Sequence, residues 1–217
     1  MDTTLVINPG SSSKKYAFFR EGRAVCTVRF ERTGETYGTC VAVRGIEERC
    51  EGGGSVGYET GLRECLRVGI REGVISRPED ITRIGIRIVA PHSYFRTHRH
   101  IDDRCVAMLR SMKERAPLHI PFLLEEIEAV QDALPHAVLL GISDSAFHHT
   151  IPPYAALYSV PKREREQEHL YRYGYHGLSV ASVVRVVLRQ EGSVPPRIIV
   201  AHVGSGVSVT AVREGKS

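Results

Sequence analysis

A string of small polar residues near the N-terminus has the residue types that bind phosphate. Asn8 is followed by Pro9 and Gly10, then by the serine run 11–13, and Lys15 adds a positive charge after the turn. A turn rich in glycine and serine between two strands can present backbone N–H groups and hydroxyls to phosphate oxygens. An ordinary hairpin loop is the alternative for any single turn of this kind.

A second turn of this type lies late in the chain, at His202–Gly206. Both turns contain a Gly-Ser pair, and the strands that follow them end in similar segments, Phe19–Gly22 and Val212–Gly215. This weak internal repeat fits a duplicated domain whose second copy has just begun. Thr210 stands where a Walker A motif ending at residue 217 needs glycine, and Val209 occupies the third glycine position of a dinucleotide fingerprint, so both motifs are excluded.

Arg87 is a charged residue inside the apolar segment Ile86–Val89. A guanidinium in such a strand needs an anionic or hydrogen-bond-accepting partner, and a carboxylate ligand is a natural one. The alternative is an arginine on the solvated face of an edge strand.

Three further polar residues could take part in chemistry. Asp144 directly follows the apolar segment 137–142, and the carboxyl ends of buried strands commonly carry ligand-binding side chains. It could orient magnesium-bound water or a reacting group, or it could form an Asx turn or helix cap. His119 and His176 could each donate a hydrogen bond to a charged ligand, although a lone histidine is usually structural.

A metal site formed by histidines is only weakly indicated. The histidine pairs are 98/100 and 148/149, and neither has the helical H-x-x-x-H spacing or the clustered cysteines of a zinc site.

The elements that must position these residues can be read from the hydrophobic pattern. Period-two and β-branched runs predict strands, and apolar residues three and four apart predict helices. The predicted strands are 3–7, 16–19, 24–30, 39–43, 81–89, 137–142, 197–201 and 207–212, and the predicted helices are about 62–72, 106–112, 123–134 and 180–188. Gly52–Ser55 is a predicted loop, 91–100 an irregular loop, and 152–168 a connector.

This order predicts an α/β fold in which helices pack on a mixed sheet. We expect one domain at residues 1–150, and in 151–217 a connector and the incomplete beginning of a second domain.

Composition excludes several classes of protein. The chain has 217 residues, 42% hydrophobic and 25% charged, so a globular core is expected. It contains no apolar run of about 20 residues and no signal-peptide pattern. We therefore expect neither membrane insertion nor export, and we expect a cytoplasmic location. The 29 basic residues are spread along the chain without an aromatic-basic RNA-binding run. An anionic small molecule explains the net charge of +4 at least as well as nucleic acid does, and no nucleic-acid partner is expected.

The five cysteines are odd in number and never form a C-x-x-C pair. This pattern argues against a disulfide framework and predicts reduced, mostly structural thiols.

Five motifs, in order and covering nearly the whole chain, resemble those of acetate kinases. They are LVINPGSSSKK at Leu5–Lys15, APLHIP at Ala116–Pro121, SDSAFHHTIP at Ser143–Pro152, YRYGYHG at Tyr171–Gly177 and AHVGSGVS at Ala201–Ser208. The resemblance implies a ribonuclease H-like, actin-like ATPase fold with two duplicated domains around an ATP cleft. It also implies a magnesium-dependent, reversible reaction of ATP and acetate to ADP and acetyl phosphate.

The resemblance also implies a role for each matching residue. The catalytic residues would be Asp144, His176 and His119, the substrate pocket Arg87, Val89, Leu118 and Tyr175, and the metal-supporting residue Asn8. The ATP phosphates would contact Ser11, Ser13, Lys15, His202, Val203, Gly204, Ser205 and Gly206. Acetate is already ionised at pH 7, since its carboxyl group has a pKa near that of a side-chain carboxyl, about 4. Positioning and charge stabilisation are therefore the main tasks expected of these residues.

The sequence departs from the family pattern at several positions around Arg87. Ile86, Ala90, Pro91 and His92 stand where the family has two histidines and two glycines, and Ser205 replaces the asparagine of the second phosphate turn. The family's transition-state arginine, adenosine loop and C-terminal magnesium-binding glutamate would all follow residue 217.

Three hypotheses stay open. The leading one is the N-terminal half of an acetate kinase-like enzyme, inactive without a C-terminal half, with a C-terminal polypeptide or a second copy as partner. The others are a degenerate domain that binds nucleotide or a partner without turnover, and a propionate or butyrate kinase.

Overall fold

A computed structural model of the chain describes residues 2–10, 13–33, 36–45, 48–51, 60–204 and 206–217. Ser11, Ser205 and the predicted loop Gly52–Ser55 lie outside the described residues.

The described residues form ten strands, and every predicted strand is among them. Their bounds are β1 Thr3–Pro9, β2 Ser13–Arg20, β3 Arg23–Thr33, β4 Thr36–Val43, β5 Arg49–Glu51, β6 Ile81–Ile88, β7 Arg99–His100, β8 Val138–Ser143, β9 Arg197–Val203 and β10 Val207–Arg213. The short strands β5 and β7 were not predicted, because two or three residues are too few for alternation to be recognised.

Six α-helices occur in the described part of the chain. They are α1 Gly61–Arg71, α2 Asp103–Arg110, α3 Ile120–Ala133, α4 Pro153–Ala156, α5 Lys162–Gln167 and α6 Gly177–Glu191. The four predicted helices correspond to α1, α2, α3 and α6. The predicted connector contains two short helices, α4 and α5, whose four to six residues carry no readable period.

Eight strands form one mixed sheet in the order β5-β4-β3-β2-β1-β6-β8-β7. The first five strands of the chain pair antiparallel with their neighbours in sequence, whereas β1 and β6 run parallel. The mixed sheet with helices confirms the predicted α/β class. Strands β9 and β10 form a separate antiparallel pair.

The chain divides into two compact units. Unit 1 comprises Met1–Arg87 and His100–Gly141, and unit 2 comprises Ile88–Arg99 and Ile142–Ser217. The domain boundary near residue 150 stays a prediction.

The core of unit 1 lies between one face of the sheet and two helices. Alternate residues of the strands, such as Leu5, Ile7 and Phe18, are fully buried, and α1 and α3 contact β1 and β2. Burial of each such side chain contributes about 1.5–3 kcal/mol. In unit 2, the smaller core joins α6 to the β9–β10 pair through Val180, Val184, Val200 and Val212.

The cysteines differ from the prediction at one pair. Cys40 on β4 lies directly opposite Cys50 on β5, and their sulfur atoms form a disulfide. The prediction of reduced thiols was wrong here because β5, which brings Cys50 beside Cys40, was not recognised. Cys26, Cys65 and Cys105 are buried and are not disulfide-bonded. Burial raises the pKa of the Cys26 thiol to about 11 and that of Cys65 well above its usual value, which disfavours the nucleophilic thiolate form of both residues.

No helix in the described ranges combines the length and the apolar character that crossing a bilayer requires.

Candidate active site

The first group of polar residues lies at the centre of the sheet in unit 1. Asn8 on β1 is paired with Lys15 on β2, and the parallel register of Ile7 with Ile86 places Arg87 beside Asn8. Directly opposed residues on neighbouring strands share a face of the sheet. Asn8, Lys15 and Arg87 therefore lie on one face, opposite the buried side chains of Ile7 and Ile86.

Arg87 donates a hydrogen bond from Nη1 to Oδ1 of Asn8 at 3.2 Å and is half-buried. Its strand, β6, lies between β1 and β8, so the edge-strand alternative is wrong. A half-buried guanidinium in a central strand presents a planar set of donors that suits a carboxylate or phosphate.

The turn between β1 and β2 is closed by its own backbone. The Gly10 N–H donates to the Ser13 carbonyl at 2.9 Å. A Cβ at Gly10 would lie 3.1 Å from that same oxygen, so glycine gives the closure its room. Ser13 is half-buried and Lys15 is exposed, which leaves the ammonium group accessible to an anion.

The loop before α3 places two predicted residues at the surface. His119 is the N-cap residue of α3, makes no side-chain capping bond and is exposed, while Leu118 is 68% exposed. Neither is packed into a pocket within unit 1. The catalytic role of His119 and the substrate-binding role of Leu118 stay predictions.

The second group lies in unit 2, where Asp144 meets the start of α6. Asp144 is buried, and its Oδ2 accepts a hydrogen bond from the His176 N–H at 2.9 Å. Its backbone carbonyl accepts from the Gly177 N–H at 2.8 Å. A carboxylate in this position is stabilised by the positive end of the helix dipole. The helix-cap alternative is thus partly right, because the Asp144 carboxylate binds the backbone at the start of α6.

His176 is held in an uncommon backbone conformation. Its φ is 55° and that of Tyr175 is 27°, and non-glycine residues with positive φ cost about 1–3 kcal/mol each and cluster at functional sites. The His176 Nδ1 is hydrogen-bonded to the Ser208 hydroxyl at 3.0 Å. The imidazole stacks on that of His202, with ring centroids 4.2 Å apart.

Gly206 and His202 complete this group. A Cβ at Gly206 would lie 3.0 Å from Cε1 and Nε2 of His176, so the second turn passes directly against the imidazole. His202 is bound through Nδ1 to the Ser179 hydroxyl at 2.9 Å. Both histidines are thus fixed through Nδ1, and no hydrogen bond from either Nε2 to a described residue occurs. Two stacked imidazoles with Nε2 available can donate to phosphoryl oxygens.

His148 also belongs to this group, and the sequence did not predict it. It is buried, its Nε2 is hydrogen-bonded to the Tyr175 carbonyl at 3.0 Å, and its ring lies where a Cβ at Gly174 would be. Burial lowers the pKa of His148, partly opposed by the Tyr175 carbonyl and by Asp144, which favours the neutral form that donates from Nε2. The sequence feature that could have pointed to His148 is its position four residues after Asp144. Burial also raises the pKa of the Tyr175 phenol to about 12.

Asn8 is the residue expected to support magnesium. Its amide oxygen is a hard donor of the kind that Mg²⁺ takes, and one lone pair remains beside the Arg87 bond. The donor set of the described residues therefore fits an ion held mainly by phosphate oxygens and water.

Comparison with known proteins shows which family contains this chain. The acetokinase family profile matches residues 3–217. The chain belongs to the acetokinase family. Among curated acetokinases, the acetate kinase of Sulfurovum sp. is 31% identical over 98% of this chain and 54% of its own length. Acetate kinase 2 of Lactococcus lactis is 32% identical over 100% of this chain and 56% of its own length.

Solved acetokinase structures share the fold. A propionate kinase from Francisella tularensis matches with a TM-score of 0.86 and 28% identity, and the acetate kinase of Porphyromonas gingivalis with 0.84 and 27%. Each alignment covers 100% of this chain and 56% of the other. The chain spans about half the length of the relatives it matches and corresponds to their N-terminal half.

Proposed function

We propose that this chain supplies the N-terminal half of a phosphotransferase that moves a phosphoryl group reversibly between ATP and a short-chain carboxylate, with acetate as the first candidate. The observation that carries the proposal is the cluster of Asp144, His176 and His202 in unit 2, in a chain of the acetokinase family. The named relatives include both acetate and propionate kinases, so propionate is the second candidate.

Each group of residues has a task in this reaction. Arg87 holds the substrate carboxylate through its paired N–H donors, while Lys15, Ser13 and the second turn hold the nucleotide phosphates. His176 and His202 donate from Nε2 to the oxygens of the phosphoryl group as charge spreads over them. Fixing each Nδ1 to a serine hydroxyl orients these donors before the substrate arrives.

Asp144 acts chiefly by positioning in this proposal. Its carboxylate holds the His176 N–H, and a base is not needed because the attacking carboxylate is already ionised at pH 7. Magnesium, when bound with ATP near Asn8, supplies neutralising charge to the phosphate oxygens.

A C-terminal polypeptide is the partner that we propose for unit 2. The outer face of the β9–β10 pair is apolar, and Ile199, Val203, Val207 and Val209 are each 68–78% exposed. An isolated two-stranded pair is marginally stable and exposed apolar patches mark interaction sites. The remaining half of an acetokinase, joined to this chain or separate from it, would cover this face. We also propose a cytoplasmic location.

Complementation tests the proposal. The chain is co-expressed with the C-terminal half of Lactococcus lactis acetate kinase 2, and the purified complex is assayed for acetyl phosphate as hydroxamate with ATP and Mg²⁺. We expect activity that needs both polypeptides, and about a hundredfold loss in Asp144→Ala, which removes the acceptor of the His176 N–H. Glu128→Gln, on the exposed face of α3, is the matched control and should keep full activity.

A non-catalytic binding domain is the second candidate. The replacements at Ile86, Ala90, Pro91 and His92 favour it, because they alter the surroundings of Arg87. A complex that binds MgATP in calorimetry but forms no hydroxamate with acetate, propionate or butyrate would establish this candidate over the kinase.

A further inference from the structure

A buried ion pair joins the N-terminal end of strand β2 in unit 1 to helix α3. The Lys14 Nζ lies 2.6 Å from Oε2 of Glu126, and both side chains are at most 4% exposed. The Tyr16 hydroxyl donates to the other carboxylate oxygen, Oε1, at 2.7 Å. We name Lys14, Tyr16 and Glu126 the Lys14 network.

Packing encloses this network on several sides. Tyr16 meets Phe30 edge to face with centroids 5.7 Å apart. A Cβ at Gly61, the first residue of α1, would lie 3.1 Å from the Tyr16 hydroxyl and 3.2 Å from Cδ of Lys14. The start of α1 therefore closes over the lysine and tyrosine, and the ion pair has little freedom to move.

Stability alone does not explain charges in this place. Lys14, Tyr16 and Phe18 alternate along β2 toward the core, a register that normally carries apolar residues. Replacing a buried ion pair by apolar side chains of similar volume is often neutral or stabilising. The charged pair instead fixes the orientation of Lys14, because its short contact with the Glu126 carboxylate holds the lysine side chain toward the core.

The orientation of Lys14 affects the turn between β1 and β2. Lys14 shares its peptide group with Ser13, whose carbonyl accepts the Gly10 N–H that closes the turn. An inward Lys14 also sends Ser13 and Lys15 to the opposite face, where Asn8 and Arg87 lie. Holding Lys14 thus sets both the closing hydrogen bond and the side from which Lys15 reaches an anion.

We infer that the Lys14 network is a positioning device for the turn between β1 and β2, and that Lys14 and Glu126 act on phosphate binding through Ser13 and Lys15 without touching the ligand. This inference rests on the proposed function in assigning phosphate to that turn. The hydrogen bond between the Gly10 N–H and the Ser13 carbonyl is a separate property of the chain, and its protection can be measured without a ligand.

The main test compares variants of the full chain. Lys14→Met with Glu126→Leu removes both charges together, so that no buried charge is left without its partner. Lys14→Arg keeps the ion pair and serves as the conservative variant. Lys162→Met with Glu166→Gln removes an exposed ion pair of α5 and is the matched control.

Two readouts are taken on each folded variant. Calorimetry measures the Kd for magnesium tripolyphosphate, and hydrogen exchange measures the protection of a peptide covering residues 9–16 against one covering α6. We expect the apolar double variant to bind about tenfold more weakly or worse, with faster exchange in the turn and unchanged exchange in α6. Lys14→Arg and the α5 control should match the unmodified chain in both readouts.

Each outcome decides the inference. If the unmodified chain binds tripolyphosphate and the apolar variant binds it equally well, the network is only structural and the inference is overturned. If the unmodified chain does not bind tripolyphosphate, that result counts against the proposed function. Hydrogen exchange then tests whether the network positions the turn. Unchanged protection of residues 9–16 in the apolar variant then overturns positioning, and a selective loss of protection upholds it.

Discussion

Replacing Gly174 by alanine tests the packing that holds His176 in place. Gly174 has φ of +85°, and a Cβ there would lie 2.5 Å from the His148 ring. Alanine in the left-handed region costs about 1–2 kcal/mol. Displacing His148 from the Tyr175 carbonyl removes a hydrogen bond that is worth about 0.5–1.5 kcal/mol. We therefore expect the free energy of unfolding to fall by about 1.5–3.5 kcal/mol.

Gly192 provides the control for the backbone part of this cost. It has φ of +70°, and no described atom beyond its neighbours lies within 4 Å of a Cβ built there. Gly192→Ala should therefore show only the left-handed strain, about 1–2 kcal/mol. Urea unfolding followed by far-ultraviolet circular dichroism measures both variants on one scale.

A second substitution separates the clash from the strain. Adding His148→Ala to Gly174→Ala removes the ring that the new methyl group meets, so the two effects should be less than additive. If Gly174→Ala loses no more free energy than Gly192→Ala, the His148 ring does not constrain the loop and the reasoning is refuted.

Three further predictions concern pH, thiols and substrate. Burial lowers the pKa of His98 and His148, so the free energy of unfolding should be highest above about pH 6.5 and should decrease as the pH falls below it. In His148→Asn, this decrease should be smaller than in the unmodified chain. Without reductant, the denatured chain should show three thiols to Ellman's reagent, and Cys40→Ser with Cys50→Ser should leave that number unchanged; five in the unmodified chain would contradict the disulfide. Arg87→Ala should raise the KM for acetate of the complemented enzyme about ten- to a hundredfold, and an unchanged KM would remove Arg87 from carboxylate binding.

The long elements of the fold were predictable because their patterns are local. Apolar spacing of three and four residues marks α3, and a β-branched run that stops at a string of turn formers marks β1. Arg49–Glu51 is too short and polar to be recognised by pattern, and it forms a strand only because β4 offers an edge. The Cys40–Cys50 disulfide was missed for the same reason, since pairing across strands depends on register.

The site was predictable in its residue types and not in its geometry. Ordered motifs pointed to Asp144 and His176, and in the structure the His176 N–H donates to the Asp144 carboxylate. Lys14 was passed over in favour of Lys15, because lysines are almost always exposed and only the register of β2 reveals which of two faces inward. The left-handed conformation of Tyr175 is set by its surroundings, including the His148 contact, and no sequence pattern announces it.

Phosphorus NMR of the reverse reaction tests the central claim most directly. The chain, complexed with the C-terminal half of a relative, is given acetyl phosphate and MgADP, and the β-phosphorus signal of ATP is followed. We predict that ATP appears at the expense of acetyl phosphate, and that the same complex with Asp144→Ala forms it about a hundredfold more slowly. A stable complex that leaves acetyl, propionyl and butyryl phosphate unchanged would contradict the claim that this chain contributes a phosphoryl-transfer site.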